Sequence, residues 1–350
     1  MSYFRDNIEQ LTGYSPGYQP RGGDVVKLNT NENPYPPSPA VIEAIRGFDP
    51  EKLRRYPQPL ADDFRSAAAK LLGVSAGNIM ATNGGDDLLT IAVRSFCGPG
   101  RALAYPVPTY SLYPVLAKIQ DCPAVEVPFD GDFNLPAALA DASAALTIVC
   151  NPNAPTASFV QPAEIEKLAR RLEGKGVVLV DEAYVDYAPA NCIGLVKSCG
   201  NVIILRSLSK GYSLAGLRFG YAVANEGLID GMMKVKDSYN VDAIAIAAAT
   251  AAITDRKYFQ TNIDRIKSQR TILTESLRGL GFELRDSSTN FLPARCPDGN
   301  ASDMHQKLAK RNIYVRYFNL PGLTDKLRIT VGTEEQNRRL VDALNELIRK

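Results

Sequence analysis

The chain has no tryptophan, a single histidine at His305, and six cysteines among its 350 residues, with no C-x-x-C spacing. Each shortage excludes a chemistry. A zinc site would need nitrogen and sulfur ligands that the sequence scarcely has, so no metal is expected. One histidine on a polar, helix-like stretch makes a serine–histidine–aspartate mechanism a poor fit, and His305 reads as solvated. No apolar run approaches the roughly 18 residues of a membrane span. The start, from Met1 to Asp6, lacks the apolar region of a signal peptide, so a cytoplasmic protein with no membrane partner is expected. Net charge is only +2, with basic residues spread along the chain, which gives no reason to expect nucleic acid. Chemistry must rest on Lys, Asp, Tyr and Arg.

What is present suits a globular protein with one large core and a smaller domain: 45% apolar and 22% charged residues. The most informative stretch runs from Ser207 to Arg218. The apolar run Val202 to Leu205 reads as a buried strand that delivers Lys210, flanked by Ser207 and Ser209, then Gly-rich chain and Arg218. A lone lysine is normally a solvated surface charge. At a strand end beside apolar chain it is desolvated, loses its proton more easily and becomes a nucleophile. Ser207, Ser209 and Arg218 supply donors for a phosphate. A carbonyl-capturing amine beside a phosphate clamp points to pyridoxal phosphate (PLP).

Residues 1–37 read as an irregular arm with little core of its own, which must lie on the body of the protein or on a partner subunit. Ser38-Pro39 opens a helix through about Phe48, and residues 60–72 form a second. A short strand, Ile79 to Thr82, precedes Asn83-Gly84-Gly85-Asp86-Asp87 and a helical pattern from Leu88 to Phe96. Gly84 and Gly85 let helix-terminal amides face an anion, or simply make a turn. Strands near 101–105, 124–128 and 146–150 alternate with helices near 108–119, 134–141 and 162–173.

Val177 to Val180 is the clearest strand, and it ends in Asp181. Ligands in open α/β sheets sit beyond the carboxyl ends of the strands. Asp181 either caps the following turn or holds a pyridine nitrogen protonated, with Tyr184 three residues on reaching the ring hydroxyl. Phe219 to Ala224 closes the sheet, followed by helices at 226–236 and 241–254 and a long helix at 255–280. Strands near 282–285, 290–295, 313–316 and 326–331 and helices near 302–311 and 334–349 complete the chain. The expected fold is α/β. It has a mainly parallel mixed sheet flanked by helices in a large domain, 38–254, and a smaller α+β domain, 255–350. The arm, 1–37, is expected on the small domain and a dimer partner.

Asn151-Pro152-Asn153, Asp181-x-x-Tyr184 and Ser207-x-Ser209-Lys210 with Arg218 stand in that order, and together they resemble the fold-type-I PLP-dependent aminotransferases along nearly the whole chain. Within that group, Leu28-Asn29-Thr30-Asn31-Glu32-Asn33-Pro34, Arg55-Tyr56-Pro57, Pro108-Thr109-Tyr110, Ala215-Gly216-Leu217-Arg218 and Leu327-Arg328-Ile329-Thr330-Val331-Gly332 look like the histidinol-phosphate aminotransferase family. The resemblance implies that Lys210 carries the cofactor and moves the proton between the substrate Cα and C4′. It implies that Asp181 holds the pyridinium, Tyr184 and Asn153 the ring hydroxyl side, and that Tyr110 stacks on the ring. Ser207, Ser209, Arg218 and the turn at Gly84, Gly85 and Asp86 would hold the phosphate, joined by Tyr56 of a homodimer partner. Arg328, Arg316, Asn290, Asn33, Asn153 and Tyr14 would meet the substrate.

The implied reaction passes an amino group from glutamate to imidazole-acetol phosphate in histidine biosynthesis. Aromatic amino acid transamination, or threonine-phosphate decarboxylation on the same scaffold, are the other enzyme readings. A non-catalytic binding protein would be expected to have lost Lys210. Two departures from the family pattern stand out: Asn153-Ala154-Pro155-Thr156-Ala157 where Asn-Asn-Pro-Thr-Gly is common, and Asp86-Asp87 where Asp-Glu is common.

Overall fold

Strands Leu146–Cys150, Val177–Asp181 and Gly220–Ala224 are buried at every position, because both faces of the sheet they share are covered by helices. The apolar runs divide their side chains between those faces with the period of two that a strand imposes. Val178, Val180, Val202 and Ile204 join one core, while Val177, Leu179, Ile203 and Leu205 join the other. The computed structural model describes every residue except 1, 15, 21, 130, 132 and 350. Three of these fall in the expected arm and one ends the expected small domain, so those parts of the reading lie outside the described residues.

The seven-stranded sheet runs in the order Ile79–Thr82, Gly220–Ala224, Val202–Ser207, Val177–Asp181, Leu146–Cys150, Leu103–Val107 and Ala124–Pro128. Only Gly220–Ala224 runs against the others. This is the mixed, mainly parallel sheet that the sequence predicts. Helix Pro39–Arg46 starts where expected, with the Ser38 hydroxyl accepting from the Val41 amide. The expected helix at 108–119 begins only at Leu112, because Pro108 to Ser111 form a turn. The segment at 134–141 is a short 3-10 helix, Ala137–Asp141.

Beyond helix Ala243–Thr254, the long helix Arg256–Gly279 packs Phe259, Ile263 and Ile266 against Tyr187 and Val331. Its far end buries Leu273 and Leu277 with Leu292, Ile329 and Leu340 in a separate core. That core is roofed by an antiparallel sheet ordered Arg316–Tyr317, Lys326–Thr330, Phe291–Arg295, Glu283–Leu284. The strand expected at 313–316 is two short pieces. Ile313–Tyr314 pairs in parallel with Val26–Lys27 of the arm, and Arg316–Tyr317 pairs with Lys326–Thr330. Further out, the arm binds the body as well: Asn7 Nδ2 donates to the Lys118 carbonyl over 2.8 Å.

Candidate active site

A cavity of about 280 Å³ opens where the parallel strands end. Strand Ile79–Thr82 leads to Gly85 and Asp86, Leu103–Val107 to Tyr110, Val177–Asp181 to Asp181 and Tyr184, and Val202–Ser207 to Ser207, Ser209 and Lys210. All of these line it, as do Tyr14, Arg218, Arg316 and Arg328. One face of the fold thus gathers residues spread over more than 300 positions of sequence.

The Lys210 amine donates to the Thr30 carbonyl over 3.2 Å. Burial, with the guanidinium groups of Arg328 and Arg218 adding to it and the Glu32 carboxylate opposing, lowers its pKa to about 8. Asp181 is buried; its Oδ2 accepts from the Tyr113 hydroxyl at 2.7 Å and its Oδ1 from the Ala183 amide at 3.1 Å. One oxygen caps the turn, as the first reading of this residue expects, and the residue also lines the cavity. Burial pushes its pKa up to about 6, against those two hydrogen bonds. The Tyr184 hydroxyl accepts from Asn31 Nδ2 at 2.9 Å, and burial raises its pKa to about 12. Behind this row Glu182 and Arg206 form an ion pair at 2.7 Å, which anchors the neighbouring strands.

At the other side of the cavity, helix Gly85–Phe96 begins with no side-chain cap. Its first amides are left for a ligand. Gly84 has φ +86°, and a Cβ there would stand 2.6 Å from Arg218 Nη2; a Cβ on Gly220 would stand 2.7 Å from the Gly84 backbone. These glycines let strand, turn and guanidinium close into one cradle. Arg218 Nη1 donates to Ser209 Oγ at 3.4 Å, and Arg218 Nη2 lies 3.7 Å from Asp86 Oδ2. Asp86 in turn accepts from the Tyr110 hydroxyl at 3.2 Å. Helix amides, two hydroxyls and a guanidinium make a donor set that fits the dianionic phosphate of PLP, and an amine and a carboxyl beside it fit the aldehyde and the ring nitrogen.

Five expected site residues do not line this cavity. Gly84 lies just behind it. Asn153 is buried and committed within the protein: its Nδ2 donates to the Pro108 carbonyl at 2.9 Å and to Thr156 Oγ1 at 2.7 Å, and its Oδ1 accepts from Thr109. Asn290 donates to the Asn31 carbonyl at 3.0 Å, and Asn33 to the Gly211 carbonyl at 3.2 Å behind the lysine loop. Tyr56 is 81% exposed and stacks on Tyr239 with ring centroids 4.4 Å apart. The two departures from the family pattern have physical consequences here. Ala157 takes φ +60°, a left-handed conformation where the common glycine would be unstrained. Asp87 caps the turn, accepting from the Asn83 amide at 2.8 Å and from Asn240 at 2.9 Å.

Three site residues escape the sequence reading: Thr30, Asn31 and Tyr113. For Asn31 the signal was an asparagine in an Asn-rich segment, a residue type that tolerates its φ of +59°. For Tyr113 it was an aromatic three residues after Tyr110 on an otherwise apolar helix.

The family model for aminotransferase class I and II matches residues 23–344. Histidinol-phosphate aminotransferase 1 of Trichormus variabilis is 49% identical over 99% of this chain and 99% of its own. The protein of the same name from Nostoc sp. is 48% identical over 99% and 98%. Among solved structures, the histidinol-phosphate aminotransferase from Sinorhizobium meliloti in complex with pyridoxal-5'-phosphate superposes with a TM-score of 0.90 at 26% identity, covering 100% of this chain and 98% of that one. That match bears out the expected fold-type-I architecture. With residues 23–344 matched and the cavity built on the strand ends of that fold, the chain belongs to the class I and II aminotransferases.

Proposed function

We propose that this chain is a pyridoxal-phosphate-dependent aminotransferase that moves an amino group from glutamate to imidazole-acetol phosphate, giving histidinol phosphate and 2-oxoglutarate in histidine biosynthesis. The observation that carries the substrate is the pair Arg316 and Arg328. They sit directly opposite each other on adjacent antiparallel strands and both line the cavity. Like charges in that position repel. Among the described residues neither forms an ion pair with a carboxylate; Arg328 Nη2 donates to the Asn29 carbonyl, and its Nε is buried with no hydrogen bond. A phosphate or carboxylate on the substrate would relieve both.

PLP, when bound, supplies an aldehyde carbon that takes up the amino group and a protonated ring that withdraws electrons from the substrate Cα. The protein's own groups do the rest. Lys210 Nζ takes and returns the Cα proton in its neutral form, and with the pKa lowered to about 8 that form is far more populated near neutral pH than for an ordinary lysine. The Asp181 carboxylate holds the proton on the ring nitrogen. Tyr184 donates to the ring oxygen, and the cradle of Gly85, Asp86, Ser207, Ser209 and Arg218 fixes the phosphate. Tyr14, edge-on to Tyr110 at 5.8 Å between centroids, adds a second aromatic ring to the cavity lining.

The same reading makes the protein a cytoplasmic homodimer. Its arm, 1–37, packs on the small domain, 255–350, and on the partner, and Tyr56 of the large domain, 38–254, reaches the partner's phosphate. The exposure of Tyr56 supports this, since an aromatic stacked on Tyr239 at the surface has a face left to cover. Among the described residues no helix is long and apolar enough to cross a membrane.

A side-by-side turnover assay tests the substrate, with 2-oxoglutarate as acceptor and histidinol phosphate, phenylalanine or threonine phosphate as the other partner. Histidinol phosphate should lead in kcat/KM by at least about a hundredfold if the site is built for that substrate. Release of CO2 from threonine phosphate, or equal use of phenylalanine, would overturn the assignment.

A further inference from the structure

The segment Asn29 to Asn31 crosses the cavity wall as a strap. Its successive carbonyls each accept from a group of the site: Asn29 from Arg328 Nη2 at 2.9 Å, Thr30 from Lys210 Nζ at 3.2 Å, and Asn31 from Asn290 Nδ2 at 3.0 Å. Nothing in the reading of Tyr184 as a donor explains why its hydroxyl proton should point to the cavity. The strap does. The Asn31 backbone amide donates to Thr330 Oγ1 at 3.1 Å. A backbone N–H can only donate, so the Thr330 oxygen is the acceptor there. Its single proton is then free for Asn31 Oδ1, 3.0 Å away. With its oxygen engaged, the Asn31 side chain turns its NH2 toward Tyr184, and Nδ2 donates to the phenol oxygen at 2.9 Å. All three residues are buried, at 1%, 2% and 8% exposure for Asn31, Thr330 and Tyr184, so no bulk water competes.

We propose that Asn31 is a positioning residue that sets the direction of the Tyr184 hydroxyl. The relay starts at a backbone amide that cannot reverse, passes through Thr330 and Asn31, and leaves the phenol oxygen as an acceptor on that side. The only proton Tyr184 owns is thereby aimed into the cavity, at the ring oxygen of the bound cofactor. This rests on the reading that PLP occupies the cavity.

The sharpest test reverses one bond without changing shape. In Asn31→Asp the side chain keeps its outline and tolerates the left-handed backbone, φ +59°, but presents an acceptor where the NH2 stood. The Tyr184 proton is then drawn to the carboxylate and away from the ring. Asn31→Ala merely removes the donor and leaves the phenol free to turn. The readout is the pH midpoint of the visible absorption band of the PLP-loaded protein. A donor to the ring oxygen favours its ionised form and so lowers that midpoint; withdrawing the donor raises it. The expected order is wild type lowest, Asn31→Ala above it, and Asn31→Asp highest, by about one pH unit, the equivalent of one hydrogen bond.

A purely structural role predicts the opposite ranking, because alanine loses every hydrogen bond and asparagine's near-isostere loses one. On a Tyr184→Phe background the difference between the two variants should shrink to what the added charge alone contributes. Should Asn31→Asp fail to fold, Thr330→Val removes the anchor two steps away without adding charge, and should raise the midpoint as well. An unchanged midpoint in these variants, or an equal shift with and without the Tyr184 hydroxyl, overturns the relay. A wild-type protein that forms no visible band with PLP overturns the cofactor reading first, and the relay falls with it.

Discussion

The Tyr113 hydroxyl donates to Asp181 Oδ2 across 2.7 Å at a site where both side chains are buried. Burial and the neighbouring carboxylate push the phenol's pKa well up, so Tyr113 keeps its proton and Asp181 is the acceptor. The carboxylate is therefore held in place before any ring nitrogen arrives, and its negative charge is what a pyridinium requires. Asp181→Asn should reduce kcat by several orders of magnitude, because electron withdrawal by the protonated ring is the main catalytic effect. Steady-state kinetics reads this directly. A loss below about tenfold, or about 1.4 kcal/mol, would assign Asp181 to the turn it caps at Ala183 instead.

Lys210 gives a pH dependence whose sign follows from burial. Its pKa is lowered to about 8, so the protonated form dominates below that pH and the neutral amine above it. Only the neutral amine attacks a carbonyl. Capture of PLP by the cofactor-free protein, followed by stopped-flow absorbance, should accelerate as pH rises through about 8 and level off above it. A rate still climbing toward the ordinary lysine range above pH 10 would show that the amine is not desolvated in solution.

Removing that amine separates binding from chemistry. In Lys210→Ala the cradle at Gly85, Ser207, Ser209 and Arg218 is untouched, so PLP should still bind, measurably by fluorescence or dialysis. The visible band of lysine-bound cofactor should be absent and transamination should fall to background. Full activity in this variant would remove the mechanism.

The sheet and the strand-end residues were legible because their signals are local. Fully apolar runs such as Val177 to Val180 are buried on both faces, and the residue that ends such a run, Asp181, falls where ligands collect. What could not be read was contact between distant segments. Asn31 meets Thr330 across 299 positions and Tyr184 across 153, and neither partner leaves a periodic trace around residue 31. The resemblance brings Asn153 to the ring and Asn290 to the substrate but says nothing of their orientation; their side-chain amides donate to Pro108, Thr156 and Asn31. The split of the strand at 313–316 likewise depended on the arm, since Val26–Lys27 competes for its first half.

The proposed dimer makes a prediction about whose tyrosine serves which site. Within its own chain Tyr56 does not line the cavity; it stacks on Tyr239 and is 81% exposed. If it serves the partner's phosphate, then in a two-fold dimer each site takes Lys210 from one chain and Tyr56 from the other. Mixing Lys210→Ala chains with Tyr56→Ala chains, after dissociation and reassociation, makes hybrids with one site that has both groups intact. Half of the dimers are hybrids and half of their sites are restored, so a one-to-one mixture should regain about one quarter of wild-type activity from two weakly active parents. If Tyr56 acted within its own chain, no hybrid site would hold both groups and the mixture would stay at the average of its parents. A fully active monomer by light scattering would refute the shared site altogether.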